Sequence, residues 1–253
     1  MSGEHEGTYV YGVVRSGVEF DALEREGDEL PKVCMIEVGD LAAISSDLPA
    51  DDEAATRDHV LAHSRVLAAA VQSAAVVPLR FGMVFPSDEA IRDDLLEARH
   101  DELAELLDRF EDKVQMTLKV YYQDDAILRE VVSGNSEIGR LRDAIRGRSE
   151  QESHDARLRL GELVNAAIDE RRERDSAEIL NELKRVTVAG IVDSLEKELM
   201  VLNAPLLVER RRLEEFEAAV DEAAQARGEL MHFKLLGPMP AYHFIDVPEP
   251  AWA

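Results

Sequence analysis

Several residues that often announce a function are scarce or absent here. Cys34 is the single cysteine in 253 residues, so no intramolecular disulfide can form and nothing marks an oxidising compartment. It lies in the apolar run Val33-Cys34-Met35-Ile36, far in sequence from any histidine, and is expected to be a small buried hydrophobe, not a nucleophile. Basic residues are outnumbered: 29 Lys and Arg face 53 Asp and Glu, a formal charge of -24. A field of that sign repels phosphate backbones, which argues against nucleic acid or an anionic membrane surface as partner. It favours solubility and suits a basic partner or a salty cytoplasm. Lysine is confined to Lys32, Lys113, Lys119, Lys184, Lys197 and Lys234.

Long apolar runs are missing too. No stretch approaches the ~20 residues of a membrane-spanning helix. Met1 to Gly7 is polar and acidic, without the apolar centre of a signal peptide, so a cytoplasmic location is expected. Catalytic signatures are equally wanting. Gly134-Asn135-Ser136-Glu137-Ile138-Gly139 lacks the Lys-Ser/Thr ending of a phosphate loop and reads as a loop with a helix start. There is no Gly-x-Ser-x-Gly elbow. His59 and His63 stand at i, i+4, a spacing that can hold zinc. The metalloprotease pattern needs Glu directly after the first His, where this chain has Val60, and no further ligand is defined. A helix-surface or hydrogen-bonding pair is the better reading.

The elements that are present follow from periodicity. Thr8-Tyr9-Val10-Tyr11-Gly12-Val13-Val14 is β-branched and aromatic and predicts a central strand. Val33 to Val38, a Gly39-Asp40 turn and Leu41 to Ser45 predict a hairpin. Val60, His63, Val66, Leu67, Ala70 and Val71 recur at helical spacing. Val76-Val77-Pro78-Leu79-Arg80-Phe81-Gly82 is extended, with a proline suited to a strand edge or bulge. Arg80, between Leu79 and Phe81, is expected to pair with a carboxylate under the sheet. Ser87 offers an N-cap for one long helix or a broken pair reaching Phe110. Val114 to Tyr122 alternates and predicts a strand buried on one face.

This order is that of an α+β domain, placed at residues 1–123. A second α+β domain is placed at 124–253, with a helical insertion at about 150–198. Within it, Gln151 to Lys184 predicts two helices packed as an antiparallel hairpin. Leu199 to Val208 reads as a strand and Glu209 to Ala226 as a helix. Glu229 to Leu236 and Tyr242 to Val247 read as closing strands, joined by the stiff, non-helical Gly237-Pro238-Met239-Pro240.

Five segments, in order, resemble the gas vesicle protein F/L family. They are Tyr9-Val10-Tyr11-Gly12-Val13-Val14; the His59-centred helix leading into Val77-Pro78-Leu79-Arg80-Phe81-Gly82; Val201-Leu202-Asn203-Ala204-Pro205-Leu206-Leu207-Val208; Glu215-Phe216; and Leu236-Gly237-Pro238-Met239-Pro240-Ala241-Tyr242-His243-Phe244. The last is similar to the family's Gly-Pro-Trp-Pro-Pro-Tyr-x-Phe, with Met239 and Ala241 as departures. The resemblance implies two ferredoxin-like α/β-sandwich domains, the second with long helices. It implies an accessory protein needed for gas vesicle formation that contacts the small apolar shell protein, with neither catalytic activity nor cofactor. Other accessory proteins of the vesicle are expected partners. Arg80, Phe81, Pro238 and Tyr242, apolar or stiff positions of the two loops, are the expected partner-binding residues. Two rival expectations remain: a minor structural component of the vesicle wall, and a metal-dependent hydrolase using His59 and His63.

Overall fold

The computed structural model describes residues 7–18, 32–47, 57–149 and 151–246. They divide into two compact units. Residues 7–116, 207–211 and 236–246 form the first; 117–206 and 212–235 form the second.

The first unit begins with β1 (Thr8–Arg15), β2 (Cys34–Val38) and β3 (Leu41–Asp47). The hairpin turns at Gly39, whose φ of 59° suits a residue without Cβ. Helix α1 (Arg57–Ser73) follows, then the two-residue strands β4 (Val77–Pro78) and β5 (Val84–Phe85). The antiparallel sheet runs β2-β3-β1-β4, with β5 also paired to β1. β1 is therefore central and Pro78 sits on an edge strand, both as the sequence implies. Gly12 lies where β1 meets β4. A Cβ there would come within 2.9 Å of the Val77 carbonyl oxygen and 3.1 Å of Leu67 and Val76 side-chain carbons. Only a residue without a side chain lets β4 and α1 approach this closely.

Ser87 caps α2 (Asp88–Ala90), its side chain accepting from the Ala90 N–H. The helix widens into a π segment over Ile91–Glu97, and α3 (His100–Phe110) resumes beyond it. The expected helix is thus a broken pair. Its apolar side, Ile91, Leu95, Leu96, Leu103, Leu107 and Phe110, is buried. Arg210 donates to the Val71 and Ala74 carbonyls at the end of α1, a cation placed on the negative end of a helix. Cys34 corrects the sequence reading: it is exposed. β2 is an outer strand, and Cys34 stands at its first position, where it is exposed although Ile36, on the same face, is buried.

The next strand, β6 (Lys113–Tyr122), was expected to bury one face. Its polar-side Gln115 and Thr117 are also buried, so both faces are covered there; within its sheet, ordered β7-β8-β6-β9, it is an inner strand. The flanking strands are β7 (Ala189–Gly190), β8 (Met200–Glu209) and β9 (Met231–Met239). Numbered in chain order, the strands of this sheet and of the β2-β3-β1-β4 sheet share the order 2-3-1-4.

The second unit carries α4 (Asp124–Gly134), α5 (Ser136–Ile145), α6 (His154–Leu183) and α7 (Leu213–Arg227). Asn135 caps α5 through its side-chain oxygen, at 3.0 Å from the Glu137 N–H. The expected hairpin within 151–184 is one 30-residue helix. That span has no proline, and Gly161 alone does not break it; the partners of α6 are α4, α5 and α7. Its buried positions Ile168, Asp175, Ile179 and Leu183 form one narrow stripe. Asp175 is 5% exposed. It accepts from the Tyr122 hydroxyl at 2.8 Å and from Arg171 Nε at 2.9 Å, and Arg171 reaches on to Glu130 at 2.7 Å. Burial, then the Asp175 bond, push the Tyr122 hydroxyl far above its ordinary pKa, so it is a permanent donor. No helix among the described residues is long and apolar enough to cross a membrane.

Three substitutions test these supports in urea unfolding. Gly12→Ala should destabilise the protein by about 1–3 kcal/mol, because the carbonyl it meets is backbone and cannot step aside. Asp175→Ala should cost about 3 kcal/mol, since it leaves the buried Tyr122 hydroxyl without its acceptor and takes from Arg171 one of its two carboxylates. Tyr122→Phe, which leaves that ion pair intact, should cost about 1 kcal/mol.

Candidate functional site

An aromatic ledge lies on the first unit where β1, α1, the 79–82 turn and the 242–244 turn converge. Tyr9 and Tyr11 stand two apart on β1, so strand alternation puts both on one face. The pairing of β1 with β3 shifts between Val10 and Gly12, which makes Tyr11 an extra residue in the ladder. Such bulges re-aim a side chain. The Tyr9 and Tyr11 ring centroids are 4.8 Å apart, and the Tyr11 hydroxyl bonds to Ser46 Oγ at 3.0 Å.

His63 of α1 fills the space beneath. It is 5% exposed, stacks on Tyr11 at 5.5 Å and meets the Phe81 ring edge-on at 5.7 Å. Its Nδ1 lies 2.9 Å from the Tyr9 hydroxyl, and the ring also bonds to the Leu79 backbone. A neutral ring has one N–H, which goes to the Leu79 carbonyl; Nδ1 then accepts the Tyr9 proton. The Tyr9 oxygen in turn accepts the Gly82 N–H at 3.0 Å. Burial is the largest cause of a His63 pKa below its ordinary value. Burial likewise raises Tyr9 and Tyr11. His63 thus has a structural hydrogen-bonding role. The zinc reading fails on geometry, because the imidazole is turned inward with its nitrogens engaged. Among the described residues, no group of three or more His, Cys, Asp or Glu is placed to hold a metal.

Phe81 is 36% exposed, and it is followed by the exposed Met83 and by Val84, which pairs with Tyr9 on β1; Val60 and Leu61 are further exposed apolar residues of α1. Tyr242 is exposed and comes close enough to Tyr9 for their charges to interact; burial of its hydroxyl pushes its pKa up to about 12. The structure therefore brings Phe81 and Tyr242 to the same tyrosine. Arg80 is exposed, which corrects the expectation of an arginine under the sheet: the turn at Gly82, with φ of 87°, carries this stretch to the surface. Pro238 is half-buried on β9, after Gly237, where a Cβ would come within 2.7 Å of Met116 Sδ.

Another expectation changes here. β9 extends through Met239, and Tyr242–Phe244 is a single 3-10 turn, not a strand. Pro240 has no N–H to give a ladder, and its carbonyl instead accepts the Tyr242 N–H at 2.8 Å. Gln115, fully buried, accepts the His243 N–H at 3.1 Å. Arg109 donates to the Phe244 and Ile245 carbonyls at 2.7 and 3.0 Å. These anchors fix where Tyr242 emerges. The alternating pattern of β6 hid Gln115, since a polar residue on a strand's second face normally reads as solvated. Tyr9 and Tyr11 carried a signal, two large aromatics at spacing two, that the strand assignment absorbed.

The ledge is thus a half-exposed aromatic surface on a mixed α/β protein of two sheets, with the Tyr9 and Tyr11 hydroxyls paired beneath it. The comparisons name the family. The model of the gas vesicle synthesis protein GvpL/GvpF family matches residues 7–246, and the chain belongs to that family. It is 34% identical to gas vesicle protein F of Streptomyces sp. (strain CB03234) over 241 residues, covering 94% of this chain and 99% of the relative. Gas vesicle protein L of the same strain is 30% identical over 264 residues, covering 95% and 93%. The fold matches the crystal structures of gas vesicle protein GvpF from Anabaena sp. PCC7120, with a TM-score of 0.80, and from Microcystis aeruginosa, with 0.76. Each is 20% identical and covers 96% of this chain and 100% of the other. The chain therefore has an accessory role in the gas vesicle, and its family is not one of known enzymes.

The lowered pKa of His63 has a stability consequence. The unfolded chain binds a proton near pH 6.5 that the native state refuses, so stability is complete above that pH and falls as pH drops below it. His100 has the opposite sign, its pKa raised by hydrogen bonds to Asp40 and Asp101. In a His100→Gln background, urea unfolding should therefore show stability falling from pH 7.5 to 5.5, no more steeply than about 1.4 kcal/mol per pH unit. Adding His63→Gln should flatten that slope.

Proposed function

We propose that this protein binds the major gas vesicle shell protein through the ledge formed by Phe81, Tyr242 and the flanking Met83 and Val84, and so supports vesicle assembly. One observation carries this reading: exposed apolar side chains on separate elements gather around a rigidly bonded support, in a chain of charge -24. An apolar patch on a highly charged carrier suits a partner that is itself apolar and aggregation-prone. The acidic surface keeps the pair in solution while the ledge covers part of the partner. Arg80 belongs at the rim of this contact, and Pro238 supports it from the β9 side. On the same reading each unit is a variation on the ferredoxin-like sandwich, supported by the shared 2-3-1-4 strand order. The role is non-enzymatic, and other accessory proteins of the vesicle are further partners in the cytoplasm.

Co-expression with the shell protein and pull-down across a salt series tests this. An apolar interface should hold from low to high salt, whereas contact through the acidic surface would be lost as salt rises. Phe81→Ala and Tyr242→Ala should each weaken binding by about 30-fold, the scale of an interface hot spot, with the thermal melt unchanged. A wild-type protein that fails to bind at every salt concentration removes this reading. Stoichiometric recovery with washed, intact vesicles would instead favour a component of the wall.

A further inference from the structure

The bonds beneath the ledge do more than fill space. The 79–82 turn is tied to the sheet by the Leu79 N–H, which the Tyr11 carbonyl accepts at 2.9 Å, and by the Gly82 N–H on the Tyr9 oxygen at 3.0 Å. The second tie runs through a side chain whose own proton goes to His63. A phenol has one proton to give, and a neutral imidazole has one nitrogen to receive it. When His63 takes a second proton, Nδ1 becomes a donor. The Tyr9 oxygen would then have to accept from both Nδ1 and Gly82, while its hydroxyl proton loses its acceptor. A positive charge would also appear at a position 5% exposed.

The groups around His63 offer little compensation. From β1 they are Tyr9 and Tyr11, which burial keeps protonated. The turn brings Phe81, with Arg80 beside it on the exposed side. On α1, His59 lies one turn back and the exposed Asp58 and Arg65 flank the helix surface. Tyr242 approaches through Tyr9. No carboxylate contributes to the shift at His63.

We infer that Tyr9 and His63 form a proton-sensitive latch on the Phe81 turn, which holds the ledge in shape while His63 is neutral and lets it go when the ring is charged. The inference rests on reading the ledge as the docking surface. It makes Tyr9 and His63 positioning residues: neither needs to touch the partner, and both decide whether Phe81 is presented in one orientation. Binding to the shell protein should therefore weaken as the pH falls below about 6, a range in which histidine changes charge.

Amide hydrogen exchange on the free, full-length protein separates the latch from the docking reading. Protection of the Gly82 amide, corrected for intrinsic exchange, should fall about tenfold between pH 7.5 and 5.5, the scale of one lost hydrogen bond. The Leu118 amide in β6 serves as the control for global opening and should not follow it. Tyr9→Phe should show the low Gly82 protection at every pH, and His63→Gln should remove the pH step. Gly82 protection that stays level across this range in the wild type, or a wild-type step that survives in Tyr9→Phe, overturns the latch. Because no partner is present, failure of the shell protein to bind would count against the docking reading alone, and the Gly82 step would still judge the latch.

Discussion

β1 carries neighbours on both edges and a helix against one face, and room for all of them is made at Gly12. The Val77 carbonyl approaches to within 2.9 Å of where a Cβ would sit, and Leu67 and Val76 crowd the same point. That approach lets a two-residue strand pair with β1, and it sets where the chain leaves the sheet toward Phe81. The bulge at Tyr11 falls immediately before it. The extra residue swings Tyr11 onto His63, and Tyr9 is left to hold the turn. A backbone contact in the core thus governs the shape of a surface several residues away.

Polar groups inside both units act as fasteners. Gln115 and Arg109 hold the 242–244 turn, and Asp175 joins Tyr122 to Arg171. Each is costly to bury alone and useful only when its partners are in place. They differ in consequence. The Asp175 group ties a long helix to a strand, whereas Gln115 and His63 stand under the two turns that carry exposed aromatics. The interior chemistry of this protein thereby specifies geometry, and the ledge set above it is mostly apolar.

How legible this was varied by element. β1, the hairpin, α1, β8 and α7 follow from periodicity and turn residues, because their patterns agree with their final burial. The 154–183 helix was misread as two because its apolar stripe fades in the middle, where alternating charges contact solvent. Cys34 was misplaced because an apolar run does not say which strand lies at an edge. The Tyr242 segment looked like a strand from its composition, but Pro240 supplies a carbonyl without an N–H and the chain closes into a turn. Phe81 and Tyr242 stood out in the sequence as aromatics beside stiff turns, and both are exposed; the support beneath them did not stand out.

The sequence by itself determined the family, the order of most elements and the absence of a recognisable catalytic motif, because these depend on local preference and on patterns read along one dimension. Tertiary structure decided which polar side chains are buried and what they hold. Gln115 meets His243 across 128 positions, and Tyr9 meets Gly82 across 73. No periodicity along the chain reports such a pairing, because a polar side chain in an apolar pattern looks the same whether its partner is water or a distant backbone amide. The physical difference appears only when folding removes the water and leaves the amide in its place.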